Sequence, residues 1–278
     1  MARKYPQIPS YCEGDLHNFE YLEKAQLILF MAGNQFMVMD ELLSVFQKKY
    51  PEIKYIFYET LPPGLELKQI LCQGAIFKGR FIKVIPDIYT SVSEEAMKKL
   101  MKKRLIEKYH VYLHNRIVLM VPKGNPANIK TVNDLGKDNI RISQPGEMED
   151  ITKYILNMYE KAGGKQFVKR IMEEKTAEGT SILTVVHHRE TPLRICKGTA
   201  DVGPVWFTEV ENLKRKGLEI DSVEVGESFD QRDRVNYYVA KLKNAHNFEN
   251  AEKFFNFILS EDAQKIYKKY GFIPYIQI

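Results

Sequence analysis

The stretch Leu27-Ile28-Leu29-Phe30-Met31-Ala32-Gly33-Asn34-Gln35 carries four consecutive apolar residues into a small, polar turn. A short apolar run bounded by turn residues reads as a strand buried on both faces. Directly after it, Met39, Leu42, Leu43, Phe46 and Tyr50 recur at the i, i+3, i+4, i+7 spacing of one buried helical face. Strand, turn and helix together make the repeating unit of a parallel sheet, because neighbouring parallel strands need a crossover between them.

The unit recurs outward from there. Residues 54–58 read as a strand, 59–64 as a turn and 65–73 as a helix ending at Gly74. Residues 86–91 form a third strand and turn, followed by a helix over 94–105. Residues 115–121 are an apolar strand closed by Pro122 and Gly124. A second set follows: a short helix over 131–135, a strand over 140–143, the turn Gln144-Pro145-Gly146, and a helix over 150–162 stopped by Gly163-Gly164. Residues 181–186 are apolar, 193–197 read as a short helix, and 200–207 as another strand. A late strand at 237–240 and helices over 251–259 and 261–270 finish the chain. Alternation of this kind predicts an α/β protein whose mainly parallel sheets are covered by helices on both faces. The two sets, with a late strand and helices left over, predict two lobes crossed more than once. The expected division is an irregular arm over 1–25, lobe I over 26–119 plus 236–278, and lobe II over 120–235.

Composition sets the outer limits. The chain has 278 residues, 44% hydrophobic and 28% charged, a globular balance with enough material for a core. No apolar run approaches the roughly 18–20 residues of a membrane span. The formal charge of +5 is spread along the chain rather than gathered on one stretch, which argues against nucleic acid and mildly favours anionic ligands. Cys12, Cys72 and Cys196 form neither a disulfide framework nor a zinc ribbon. The start, Met1-Ala2-Arg3-Lys4-Tyr5-Pro6, has no apolar signal-peptide run, which leaves a cytosolic protein or a removed signal.

The ends of the strands are where chemistry is expected. Gly33-Asn34-Gln35, Pro63-Gly64 and Thr90-Ser91 each lead from a strand into a helix. In an open parallel sheet, ligands bind outside the carboxyl ends of the strands. Helix N-termini there offer unpaired N–H groups and partial positive charge to an anion. The cluster His187-His188-Arg189-Glu190-Thr191-Pro192 reads as another helix start, with Thr191 as N-cap and Pro192 in the first turn. Its histidines and arginine suit an anion contact, a metal ligand pair or a plain surface loop. Trp206, the single tryptophan, ends a strand and serves either a pocket wall or the core. Gly-x-Ser-x-Gly, Walker A, Gly-x-Gly-x-x-Gly and His-Glu-x-x-His are all absent from the sequence, so no enzyme, cofactor or metal site is expected.

Several stretches taken together resemble the molybdate- and tungstate-binding proteins of ABC importers, within the type II periplasmic binding protein fold. They are Ala32-Gly33-Asn34; Pro63-Gly64-Leu65-Glu66-Leu67-Lys68-Gln69-Ile70 with Gly74-Ala75; and Asp87-Ile88-Tyr89-Thr90-Ser91. Further along come Asn115-Arg116-Ile117-Val118-Leu119-Met120-Val121-Pro122, Gly198-Thr199-Ala200-Asp201-Val202-Gly203 and Lys269-Tyr270-Gly271-Phe272-Ile273-Pro274. The resemblance implies two lobes with an oxyanion in the cleft between them, and contacts at Asn34, Pro63, Ser91, His188 and Trp206. It also implies a monomer that delivers its ligand to an ABC permease from a periplasmic or extracellular location. A sensor or an enzyme on the same scaffold is the alternative. The family usually places a serine hydroxyl in each of the first two turns; Asn34 and Pro63 stand there instead, and residues 76–85 read as an insertion. Proline has neither a hydroxyl nor an N–H, so the expected ligand is a different or larger anion, such as an organic acid carrying a carboxylate or phosphate.

Overall fold

The computed structural model describes residues 5–146 and 149–275, with the side chains of His187 and His188 outside that description. The first stretch of chain carries β1 (Gln7–Ile8), β2 (Leu16–His17), β3 (Leu27–Phe30), α1 (Met39–Lys49), β4 (Ile56–Glu59) and α2 (Pro63–Cys72). It continues through β5 (Ala75–Phe77), β6 (Arg80–Ile82), β7 (Ile88–Ser91), α3 (Glu94–Lys102) and β8 (His110–His114). The middle stretch holds β9 (Ile117–Pro122), β10 (Ile142–Pro145), α4 (Thr152–Lys169), α5 (Lys175–Ala177) and β11 (Ser181–Thr184). After these come α6 (His187–Cys196), β12 (Gly203–Trp206), α7 (Phe207–Arg215) and β13 (Ile220–Glu224). The last stretch supplies β14 (Asn236–Lys241), α8 (Phe248–Ile258), α9 (Glu261–Lys269) and β15 (Ile273–Pro274). By contacts the chain divides into two compact units, one from residues up to His114 and from Asn236 onward, the other from Asn115–Val235.

The first unit is organised by one seven-stranded sheet in the order β15-β8-β14-β7-β3-β4-β2. Its centre is parallel: β3 pairs with β4 on one side and β7 on the other. The flanking strands join antiparallel. Every residue of β3 is buried, as its unbroken apolar run requires. The helical periodicity of α1 buries Met39, Leu42, Leu43 and Phe46, and the Phe46 ring meets Phe254 and Phe257 of α8 at 5.1 and 5.3 Å. Burying a side chain of that size contributes about 1.5–3 kcal/mol. On the opposite face Ile70 of α2 and Met97 and Leu100 of α3 close over Ile28, Phe30, Phe57 and Tyr89.

The arm and the insertion prove to be one structure. β5 and β6 form a hairpin across Lys78 and Gly79, whose φ of 48° and 75° suit a two-residue turn matched to strand twist. β1 adds to β5 in parallel, and Cys12, Leu61 and Phe77 pack beneath. The arm is therefore less irregular than its prolines suggest, since β2 also pairs with the end of β4. Gly74 is needed where the hairpin returns, because a Cβ there would lie 2.4 Å from the Ile82 carbonyl oxygen.

The second unit carries the antiparallel sheet β12-β9-β13 and the parallel pair β10-β11, joined through a bridge from Ile142 to Val202. Val118, Met120, Val205, Val210 and Ile220 form its core with Ile195 of α6. The glycine pair ends the first of two helices that run on as α4, as expected. Gly163 and Gly164 leave helical geometry (φ −161° and 68°), and the helix resumes beyond this kink. Trp206 closes β12 at 2% exposure, its ring edge-on to Tyr154 at 5.8 Å.

Candidate functional site

From β3 the chain crosses to β4 on one side, and then returns through α2 and the hairpin to β7 on the other. The strand order thus reverses at β3. Such a reversal opens a crevice outside the carboxyl ends of the strands, where open α/β sheets bind ligands. Three turns meet there because their strands are adjacent and parallel: residues 31–35 after β3, 60–64 after β4, and 91–93 after β7.

The first turn is held from below. Met31 N–H donates to the Glu59 carbonyl at 2.9 Å, and Ala32 N–H donates to Thr90 Oγ1 at 2.8 Å. Gln35, fully buried, donates through Nε2 to the same Thr90 Oγ1 at 2.9 Å. Its Oε1 accepts from Tyr112 and Tyr267 hydroxyls at 2.7 and 2.9 Å. Burial raises both tyrosines above their ordinary range, so they act as neutral donors. Gly33 is favoured by closeness: a Cβ would stand 3.0 Å from the Thr60 carbonyl oxygen, so the Thr60 backbone would have to give way. Asn34, 9% exposed, donates its Nδ2–H to the Tyr237 hydroxyl of β14.

The second turn begins α2 with Pro62 as N-cap, which supplies no side-chain hydrogen bond, and Pro63 in the first turn. A proline at that position lacks an N–H that the helix would not use. The Pro63 carbonyl accepts from the Tyr89 hydroxyl at 2.9 Å, while Gly64 is exposed. Neither Pro62 nor Pro63 has an N–H, and Leu65 and Glu66 N–H both donate to the Pro62 carbonyl at 2.8 and 3.2 Å, so the start of α2 offers a ligand the Gly64 N–H and the positive end of the helix dipole. Glu59, just before this turn, is 1% exposed and accepts from Gln69 Nε2 at 2.7 Å. Burial pushes its carboxyl up to about 8, against the opposing Gln69 hydrogen bond. Near neutral pH Glu59 is therefore mostly uncharged and does not repel an anion.

The third turn is largely self-satisfied. Thr90 and Ser91 are fully buried. Ser91 Oγ accepts from Ser93 N–H at 3.1 Å, and Ser93 Oγ caps α3 by accepting from Ala96 N–H at 3.3 Å. Gln35 and Thr90 were expected to face a ligand. They bond to one another beneath the turns and act as a scaffold for Gly33 and Asn34.

In the second unit, the strand-end residues of β10 and β11 join through Glu149, whose Oε1 accepts from Gly146 N–H and the Thr184 hydroxyl. The helix start expected at Thr191 lies earlier. α6 begins at His187, and Glu190 folds back to accept from Val185 and Val186 N–H groups at 2.6 and 2.7 Å. Thr191 is not a cap but is fully buried, its hydroxyl 2.9 Å from Ser143 Oγ. Pro192 stands inside the helix. His187, His188 and Arg189 consequently occupy the first turn of α6, and Arg189 is exposed. The two histidine side chains, both expected at the site, fall outside the described residues. Arg194, which the sequence did not single out, bonds Ile182 and Leu183 carbonyls, Ser143 Oγ and Glu190. Among the described residues no group of three or more His, Cys, Asp or Glu is placed to hold a metal, and no helix is long and apolar enough to cross a membrane.

Residues 27–273 match the family model described as bacterial extracellular solute-binding protein. The chain belongs to that family. This solute-binding protein is 24% identical over 196 residues to a lipoprotein of Bacillus subtilis (strain 168) whose name assigns it to ABC transporter substrate binding. That match covers 67% of the chain and 66% of the relative, just under two thirds of its length. Among solved structures, it is similar to a substrate-binding domain from Clostridium difficile whose name assigns it to a molybdenum ABC transporter. There the TM-score is 0.65 at 23% identity, covering 89% of this chain and 97% of that one. The sulfate-binding protein SubI of Mycobacterium tuberculosis H37Rv gives a TM-score of 0.70 at 17% identity, covering 89% and 86%. The fold of this solute-binding protein is that of the type II periplasmic binding proteins.

Proposed function

We propose that this solute-binding protein is the extracytoplasmic receptor of an ABC importer and captures a small anion at the strand-end turns 31–35, 60–64 and 91–93. The strand order carries the reading: reversal at β3 sets an uncapped α2 beside the Gly33-Asn34 turn, with Glu59 uncharged underneath. Peptide dipoles and neutral donors then hold negative charge without a charged side chain in the first unit. The second unit offers an exposed cation of its own, Arg189 on the first turn of α6, with His187 and His188 beside it in the chain. The family description and the lipoprotein relative support an extracytoplasmic location and a membrane permease as partner. The protein acts as a monomer, binds no nucleic acid and performs no chemistry on its ligand. The ligand is an organic acid carrying a carboxylate or phosphate rather than molybdate or tungstate, because Pro63 offers no donor where the molybdate-binding pattern has a serine hydroxyl.

Native mass spectrometry of the purified chain, followed by calorimetry with the species recovered, tests the proposal. An added mass that matches a small anion, returned unchanged, is the expected result. A converted ligand, a nucleotide-sized cation, or nanomolar molybdate affinity would refute it.

A further inference from the structure

Asn34 stands where the strand order reverses, and its carboxamide is held through its nitrogen. Nδ2 donates to the hydroxyl of Tyr237, which is 0% exposed and braced edge-on by Phe272 at 5.5 Å and 88°. Tyr237 reaches this position through an irregularity in β14: the pairing register with β8 shifts between Tyr237 and Tyr238. Bulges of this kind re-aim a side chain. The amide nitrogen is thereby drawn inward. Among the described residues Asn34 Oδ1 has no hydrogen-bond partner, and it is not one of the sealed, unsatisfied oxygens. With Asn34 itself nine-tenths buried, this carbonyl oxygen is the accessible polar end of the side chain.

A carbonyl oxygen only accepts hydrogen bonds. Oxygens of a fully deprotonated tetrahedral dianion also only accept, so one placed against Asn34 Oδ1 meets repulsion and leaves both groups unpaired. An anion with a hydroxyl or a protonated oxygen donates to the same atom. We infer that Asn34, oriented by Tyr237, is a specificity-determining residue that selects anions carrying an O–H group over anions without one. The inference rests on the anion-binding reading above and narrows it. It also gives a reason for asparagine in a turn where a serine hydroxyl would donate to a bare oxyanion.

Calorimetry on the full chain with two matched pairs provides the test. Inorganic phosphate and sulfate are close in size and differ in their protons; lactate and propionate differ by one hydroxyl. In each pair that binds, the O–H member should bind at least about tenfold more tightly, the range of one buried hydrogen bond made or left unmade. Tyr237→Phe should release the amide and bring the ratio towards one. Asn34→Ser, a small change that leaves the Tyr237 core in place, should do the same by restoring a donor, with an unchanged melting temperature confirming that both variants fold. Sulfate or propionate binding as tightly as its partner in the unaltered protein overturns this inference and leaves the anion reading standing. A preference that survives Asn34→Ser overturns it too. Failure of all four anions to bind overturns the anion reading and the inference with it.

Discussion

Replacing Glu59 by glutamine should remove most of the pH dependence of stability that this one residue creates. In the folded chain burial raises the Glu59 carboxyl from an ordinary 4.5 to about 8. Below 4.5 the acid is neutral in the folded and the unfolded chain alike, and folding is not opposed. Between 4.5 and 8 the unfolded chain ionises while the folded chain holds its proton, so stability falls as pH rises. The loss is complete once pH passes the folded value. Each tenfold step in acid constant is worth about 1.4 kcal/mol, which makes the full loss roughly 5 kcal/mol. Glutamine keeps the shape and the polar contact with Gln69 but has no proton to lose. Urea unfolding followed by circular dichroism at pH 5, 6.5 and 8, at constant ionic strength, isolates the effect as the difference between the two proteins. The variant should gain on the unaltered chain by several kcal/mol from pH 5 to pH 8. A difference that stays flat within about 1 kcal/mol, the net worth of an ordinary hydrogen bond, would refute the argument from burial.

Gln35→Leu strands the hydroxyls of Tyr112 and Tyr267 and removes a donor from Thr90; a loss of about 2–4 kcal/mol in chemical unfolding is expected, with weaker ligand binding as the turn loosens. Arg194→Ala frees two β11 carbonyls and Ser143 Oγ, and should lower stability by about 1–3 kcal/mol. Arg189→Ala should weaken binding of the native anion by about 1.5–3 kcal/mol, the range of a charge-assisted hydrogen bond, as read by calorimetry. Unchanged affinity would remove Arg189 from the site.

Local pattern was enough for elements whose causes are local. The apolar run of β3, the periodicity of α1 and the alternation of strands and helices follow from burial along a few turns of chain, and they lead to the α/β fold. What failed to show was chemistry supplied from a distance. Gln35 reads as a turn residue facing a ligand, yet two tyrosines 77 and 232 positions away seal it. Asn34 depends on a bulge in β14 that leaves no mark near residue 34. β1 gains its partner only because the inserted hairpin folds back to it. At α6 the error has a different cause. Thr191-Pro192 is a good helix start taken alone, but Glu190 caps from inside the helix, reaching back to Val185 and Val186. That arrangement moves the start to His187 and leaves Pro192 within.

The position of β14 between β7 and β8 also sets an order of events at the ribosome. Residues 115–235 form a continuous span and can fold as soon as they emerge. The sheet around β3 cannot: its seventh-to-eighth strand gap waits for a segment made more than a hundred residues later. Until then the edges of β7 and β8 that it will cover lack their partner, a state open to wrong pairing and to capture by holding factors. The hydroxyl that holds Asn34 arrives on that same late strand, so the turn after β3 is completed only when synthesis is nearly done.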